Sequence, residues 1–490
     1  MTATPKFLIV VCDGLRLDMV TAASMPNLHR FMAENSSFPH ARSVFPSSTR
    51  TNAAALATGA TPRRNGIMHN KYFDPNVFAD RMFQPNSAKD IAAAMAAYDG
   101  ALLDTPGMGD VIGKAGMTMA TVFGGSCGTA RLMDPRAEER GSINLGFIGW
   151  NDACPKPIAE ELIREHGPLP KSTRPDVDVA RVQTDMVIET ILPSYQPDVT
   201  VLWYADPDQT HHYLGAAGSD MARALKSVDE QFGRLLDWRT QTGLDDQLQI
   251  IVTSDHGHLN TKQRIDVNAA AADAGFKIGD HFGDTFDYAG YTSYCGAVMV
   301  RDHDPSRMKA MVDWLDQQPW CGMIFTPHGD GVNGGVPGTF DHAAVLIDHP
   351  RAPDIYFVMQ NDDAMYGDGI VGSCYYNGSY PEGRGGTHGG LHRKELQNVM
   401  AAGGALFRRE WQSPYPSGII DIAPTVLHLL GLVKPERADG RVLAEAITGM
   451  DGTPPKPETE LLTVRRSGGI QRLQVSRVGA TTYLDRGWME

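Results

Sequence analysis

Short apolar runs rich in β-branched and aromatic residues recur along the chain, each closed by polar or turn-forming residues. Phe7–Cys12, Thr118–Phe123, Val199–Ala205, Leu248–Thr253 and Ile355–Met359 read as buried strands. Helical periodicity marks Ala88–Tyr98, Met221–Leu236 and Ile422–Leu430. Strands that are apolar at every position, alternating with helices, predict an α/β fold around a largely parallel central sheet. In such sheets ligands gather at the carboxyl ends of the strands, so the residues just after each strand are the place to look. From about residue 265 to 385 the pattern changes. A strand at Ala297–Val300, a helix at Pro305–Gln317 and the glycine-rich Gly329–Gly338 suggest an inserted cap. Residues 1–264 and 386–450 then form the catalytic core, and 451–490 a tail with β-like runs near Leu473–Val475 and Thr481–Leu484.

Composition narrows the function classes. The chain has 490 residues, is 42% hydrophobic and carries a net charge of -14. That balance disfavours wrapping a nucleic-acid duplex or docking on an anionic membrane, since both need a basic surface. It is compatible with a small anionic substrate, because bound cations reverse a local field. Six scattered cysteines form no C-x-x-C pair and read as buried free thiols. The first apolar run is too short to span a membrane, and no cleavage site follows it, so a cytoplasmic protein is expected. Oligomerisation is left open.

Chemistry-bearing residues follow the strands. Asp13-Gly14 comes directly after the first. Asp208 and His212 follow the third at i,i+4, a spacing that puts both side chains on one helical face. Asp255-His256-Gly257-His258 follows the fourth; in a continuing strand Asp255 and His256 would face opposite ways, so the strand must end before them. His388 sits in a glycine turn. The cluster Ser47-Ser48-Thr49 precedes an alanine-rich helix over 52–57, as a capping segment would, and there a helix dipole and a metal would both favour the alkoxide of a hydroxyl. Mixed Asp, His and Thr ligands fit two divalent ions, and three histidines favour zinc, with manganese or iron as alternatives.

The motif order resembles the alkaline phosphatase superfamily, and within it the type I phosphodiesterase/nucleotide pyrophosphatase branch that includes phosphonoacetate hydrolase. The matching segments are Asp13-Gly14; Phe45-Pro46-x-x-Thr49-x-x-Asn52 through Thr58-Gly59; Asn65-Gly66-Ile67-x-x-Asn70; Tyr204-x-x-x-Asp208-x-x-x-His212; Ser254-Asp255-His256-Gly257; Gly386-Thr387-His388-Gly389; and Asp421-Ile422-Ala423-Pro424-Thr425. The resemblance implies an alkaline-phosphatase-like sheet flanked by helices. It also implies Thr49 as a nucleophile passing through a covalent phospho-threonine. Asp13, Asp255, His256 and Thr49 would hold one ion, and Asp208, His212 and His388 the other. Asn70 would bind a non-bridging phosphoryl oxygen.

The departures matter. Thr51 and Asn65 stand where the family often has Pro and His. His258 occupies a position that is commonly apolar; it is expected as a solvated loop residue, with support of a metal ligand as the alternative; His211 is expected to be uninvolved. The lysine-bearing segment of phosphonoacetate hydrolases has no match here; the corresponding run, Ala120 to Arg131, keeps only Arg131 and the amides of Gly124–Gly128. Arg50 and Arg131 are therefore candidate substrate contacts. A phosphodiester or nucleotide pyrophosphate substrate is expected, with a phosphonate or a phosphomonoester as the alternative.

Overall fold

Lys6–Cys12 forms the centre of an eight-stranded sheet. The structure, a computed structural model, describes residues 4–366, 369–378 and 385–490. Across the sheet the strands run Trp411–Gln412, Ser36–Ser37, Met400–Gly403, Leu248–Thr253, Lys6–Cys12, Val199–Tyr204, Met119–Ser126 and Ile143–Ile148. The five from Leu248–Thr253 to Ile143–Ile148 are parallel, whereas Met400–Gly403 is antiparallel to Leu248–Thr253.

The uninterrupted apolar strand has a simple cause: both faces are covered. Phe7, Ile9 and Val11 belong to one core with Ala53–Ala57 of the helix Thr49–Thr58. Leu8, Val10 and Cys12 belong to another with Leu225, Val228, Phe232 and Leu235 of the helix Ser219–Gln241. Alternate side chains thus enter different cores, so no position can be polar.

A second, six-stranded sheet contains Ile355–Met359, flanked antiparallel by Cys295–Val300 and Cys321–Thr326. Ile355–Met359 is a buried strand as expected, but outside the central sheet, because an apolar run does not reveal which sheet it joins. The helix Pro305–Asp316 covers this sheet through Met308, Met311, Val312 and Leu315. The tail forms three antiparallel strands, Glu458–Arg466, Gly469–Val478 and Thr481–Met489. One apolar cluster joins Leu473 and Val475 of the tail to Phe325 and Tyr356 of the second sheet and to Phe45, four residues before Thr49. Among the described residues no helix is long and apolar enough to cross a membrane.

Candidate metal centre

Strand register assembles the site. Cys12 pairs with Tyr204, and Val11 with Thr253. Three strands therefore end side by side, and Asp13, Asp208 and Asp255 leave the sheet at one edge. Asp208 begins the helix Asp208–Leu214, which puts His212 one turn on. The strand Leu248–Thr253 stops before Asp255, so Asp255 and His256 can converge. Thr49 is the first residue of its helix. Its N-cap, Ser48, makes no side-chain capping bond; instead the side-chain carbonyl of Asn70 accepts the Arg50 N–H at 2.9 Å.

Asp13, Asp255 and the three histidines are each held by one atom and leave the other turned to the centre. Asp13 Oδ2 accepts the Trp203 indole N–H at 3.0 Å, and Asp255 Oδ1 accepts the Gly14 N–H at 3.0 Å. Their other oxygens, both buried, have no hydrogen-bond partner among the described residues. Each of three histidines places Nδ1 against a backbone carbonyl: His212 on Gly386 at 2.9 Å, His256 on Gly257 at 3.0 Å and His388 on Ser47 at 2.8 Å. That arrangement fixes the tautomer and presents Nε2, as metal-ligating histidines require.

The distances suit an ion. Tetrahedral coordination with bonds of about 2.0–2.1 Å separates ligand atoms by about 3.3 Å. His256 Nε2 lies 3.1 Å from Asp255 Oδ2, 3.5 Å from Asp13 Oδ1 and 3.3 Å from Thr49 Oγ1. Asp208 Oδ1 lies 3.3 Å from His212 Nε2 and 3.5 Å from His388 Nε2. The two groups touch where the His256 and His388 rings stack at 3.7 Å. Burial, then Asp255 and Asp208, push the Asp13 carboxyl well above its usual range. Burial would raise Asp208 too, but His212 and His258 hold it well below. Three buried carboxylates at one edge are the electrostatic signature of a cation site. The residues fit two divalent ions.

All seven expected ligands, Thr49 among them, come together, with Asn70 beside them. The other ligand side chains are buried, whereas Thr49 and Asn70 are half-buried and open to a substrate. Arg50 stays near through an Nη1 contact of 3.4 Å to the Asn70 carbonyl. Arg131 does not join them. It bonds the Asp152 carbonyl at 3.0 Å and lines a separate cleft with Lys89 and Arg136. The glycine run before it is no open loop either: Gly124 and Gly125 continue the strand Met119–Ser126, and Gly128 lies in the helix Cys127–Met133.

Of the two places expected for His258, solvent and a metal ligand's side, the structure shows the second. His258 is fully buried, its Nε2 2.6 Å from Asp208 Oδ1, because the backbone after Gly257 turns inward. His211 is also buried, its ring stacked on that of His258 at 4.2 Å. Tyr294 was not foreseen. Its hydroxyl accepts from Asn70 Nδ2 at 2.6 Å, and its ring stacks on His388 at 5.1 Å. It lies 224 residues from Asn70 in sequence and in no motif, so no local signal could have found it. Glu395 is a buried clamp on the loop after His388, accepting the N–H groups of Gly390 and His392. Burial raises its carboxyl to about 7.

The chain is similar to known proteins. The family model for type I phosphodiesterase/nucleotide pyrophosphatase matches residues 7–367. Human bis(5'-adenosyl)-triphosphatase ENPP4 is 23% identical over 260 residues, covering 53% of this chain and 49% of that protein. Venom phosphodiesterase 2 of Crotalus adamanteus is 23% identical over 233 residues, covering 48% of this chain and 24% of that one. The chain thus spans about half or less of the length of these curated relatives. Among solved structures, murine ectonucleotide pyrophosphatase/phosphodiesterase 5, in an inactive form in complex with AMP, superposes with a TM-score of 0.59 at 19% identity. The match covers 88% of this chain and 96% of the murine one. The sheet, the order of the motifs and the family match over residues 7–367 lead to one placement: the chain belongs to the type I phosphodiesterase/nucleotide pyrophosphatase family.

Proposed function

We propose that the protein is a two-metal phosphoester hydrolase that cleaves phosphodiesters or nucleotide pyrophosphates through Thr49. The carrying observation is the half-open Thr49 hydroxyl at 3.3 Å from His256 Nε2, at the start of a helix and beside the converging carboxylates. When bound, two divalent ions, zinc best matching the histidine count, would lower the barrier by favouring the alkoxide and balancing charge on the phosphoryl and leaving oxygens. Asp13, Asp255, His256 and Thr49 would hold one, and Asp208, His212 and His388 the other.

The residues then have separable tasks. The Thr49 hydroxyl proton passes to solvent as its oxygen attacks phosphorus; the Thr49 O–P bond forms as the bond to the leaving oxygen breaks, and the leaving group takes up a proton from solvent. Water then attacks the phospho-threonine: the water O–P bond forms as the Thr49 O–P bond breaks, and the proton that water gives up is balanced by the one that Thr49 Oγ1 takes up. The helix dipole and first-turn amides favour negative charge on Thr49 Oγ1. Asn70 is anchored by its own carbonyl on Arg50 N–H, so its amide nitrogen stays at the site edge to meet a phosphoryl oxygen. Asn70→Ala should lower kcat by about 10²–10³ through loss of one such donor, with an unshifted pH–rate profile because an amide transfers no proton. Steady-state kinetics across pH checks both parts.

A diester carries one charge on phosphorus, which suits the cations at hand. Arg16 is not free for a second charge: it is buried and bonds Asp18 and the carbonyls of His258 and Val371. This favours a diester over a monoester. The displacement of Arg131 removes the replacement for the missing lysines and favours a diester over phosphonoacetate. We take residues 265–385, whose ends join the Asp255–His256 and His388 segments, as the cap that selects the leaving group; within this span 367–368 and 379–384 lie outside the described residues. Six free, buried cysteines support a cytoplasmic setting.

The test is a hydrolysis panel with metal-analysed protein: a nitrophenyl phosphodiester, a nitrophenyl monoester, a dinucleotide and phosphonoacetate. A diester or pyrophosphate should give the highest kcat/KM. A tenfold preference for phosphonoacetate would instead establish the phosphonate reading.

A further inference from the structure

We infer that His258 is a positioning residue for the second ion: its Nε2–H fixes the rotation of the Asp208 carboxylate without itself ligating the metal. The inference rests on the two-ion reading above and assigns a role that reading does not use.

Distance separates the two roles a histidine could have here. The ligand pairs around the site stand 3.1–3.5 Å apart, as atoms sharing one ion must. His258 Nε2 and Asp208 Oδ1 stand 2.6 Å apart, too close for two ligands of one ion and right for a charge-assisted hydrogen bond. A carboxylate only accepts, so the proton is on Nε2 and that nitrogen has no lone pair for a metal. The other nitrogen points away from this role. His258 Nδ1 is buried with no hydrogen-bond partner among the described residues, unlike Nδ1 of His212, His256 and His388. The three ligand histidines share one anchoring pattern, and His258 departs from it.

The fold also builds a slot for this ring. His211 stacks on one face at 4.2 Å with planes 20° apart. Gly14, at φ +68°, backs the slot: a Cβ there would stand 2.8 Å from His258 Cδ2 and 2.9 Å from Asp208 Cβ. The carbonyl of His258 is held by Arg16 Nη1 at 3.0 Å. A ring fixed by backbone and stacking can orient a carboxylate at little entropic cost. Among the described residues the other side-chain contacts to Asp208 are longer, His212 Nε2 at 3.3 Å, Gln209 Nε2 at 3.4 Å and His388 Nε2 at 3.5 Å, so the 2.6 Å bond from His258 is the tightest hold on its orientation.

The experiment measures metal binding rather than turnover. Wild type, His258→Leu and His258→Gln are stripped with chelator, verified to melt alike when metal-free, and titrated with Zn²⁺ and with Co²⁺. Leu fills the slot without a donor; Gln carries an amide N–H near the position of Nε2. Wild type should bind two ions. His258→Leu should bind the second ion about 10–100-fold more weakly, the usual loss for a group supporting a metal ligand, and His258→Gln should stay within about threefold of wild type. The Co²⁺ absorption bands of His258→Gln should match those of wild type. Equal weakening in both variants with altered bands would make His258 a ligand and overturn the inference. Undiminished affinity in His258→Leu would overturn it as well. A wild type that binds fewer than two ions would instead bring down the two-ion reading itself.

Discussion

Thr49→Ala should lose at least ~10³-fold in kcat while binding nearly the full complement of metal. The loss is large because the covalent route disappears altogether, and no neighbouring hydroxyl can substitute. Ser47 is buried, donates to the Gly390 carbonyl at 2.8 Å and accepts the Gly389 N–H, so it ties down the His388 loop. Ser48 is buried too and pairs with Thr51 at 2.9 Å. Metal is retained because six other ligands remain on rigid elements. Elemental analysis and single-turnover kinetics check the two halves separately. Trapping a denatured intermediate should place phosphate on Thr49 in wild type and nowhere in the variant. Near wild-type turnover in Thr49→Ala would refute the assignment.

Exhaustive chelation should abolish hydrolysis and lower the melting temperature by several degrees. Asp13, Asp208 and Asp255 are buried at one edge, and burial with mutual repulsion already raises the Asp13 carboxyl. Without cations those carboxylates are desolvated and repel one another. Ions held at a thousand times their Kd would each contribute about 4 kcal/mol to the folded state. Calorimetry with and without added Zn²⁺ measures the shift. The effect should reverse on re-addition, since the liganding side chains are oriented by backbone and side-chain groups that do not depend on the metal. Full activity in protein shown to be metal-free would refute the mechanism.

Both predictions draw on features that differ in how visible they are from the chain alone. Strand Lys6–Cys12 was plain because burial on both faces forbids polar residues. The helix at Thr49 was plain from its alanines, and Asp208 and His212 from their i,i+4 spacing, which is local geometry. Tyr294 and Trp203 were invisible. Each reaches the site from a distant segment, through the second sheet in one case and through register with the first strand in the other.

The α/β class and the strand ends that carry chemistry were legible in the chain, since these depend on periodicity and on residues near each other in it; the grouping of distant Asp and His residues into one site came from a motif order resembling a known family, not from local geometry. The tertiary structure alone decided which side chains face the centre. It sent Arg131 into a separate cleft because Gly124–Ser126 continue a strand and Arg131 lies on the helix that follows. It brought His258 inward because Gly257, where a Cβ would come 2.0 Å from the Lys394 carbonyl oxygen, lets two backbone segments meet closely. The direction of a loop side chain is set by what packs around it, and that information is spread over segments hundreds of residues apart.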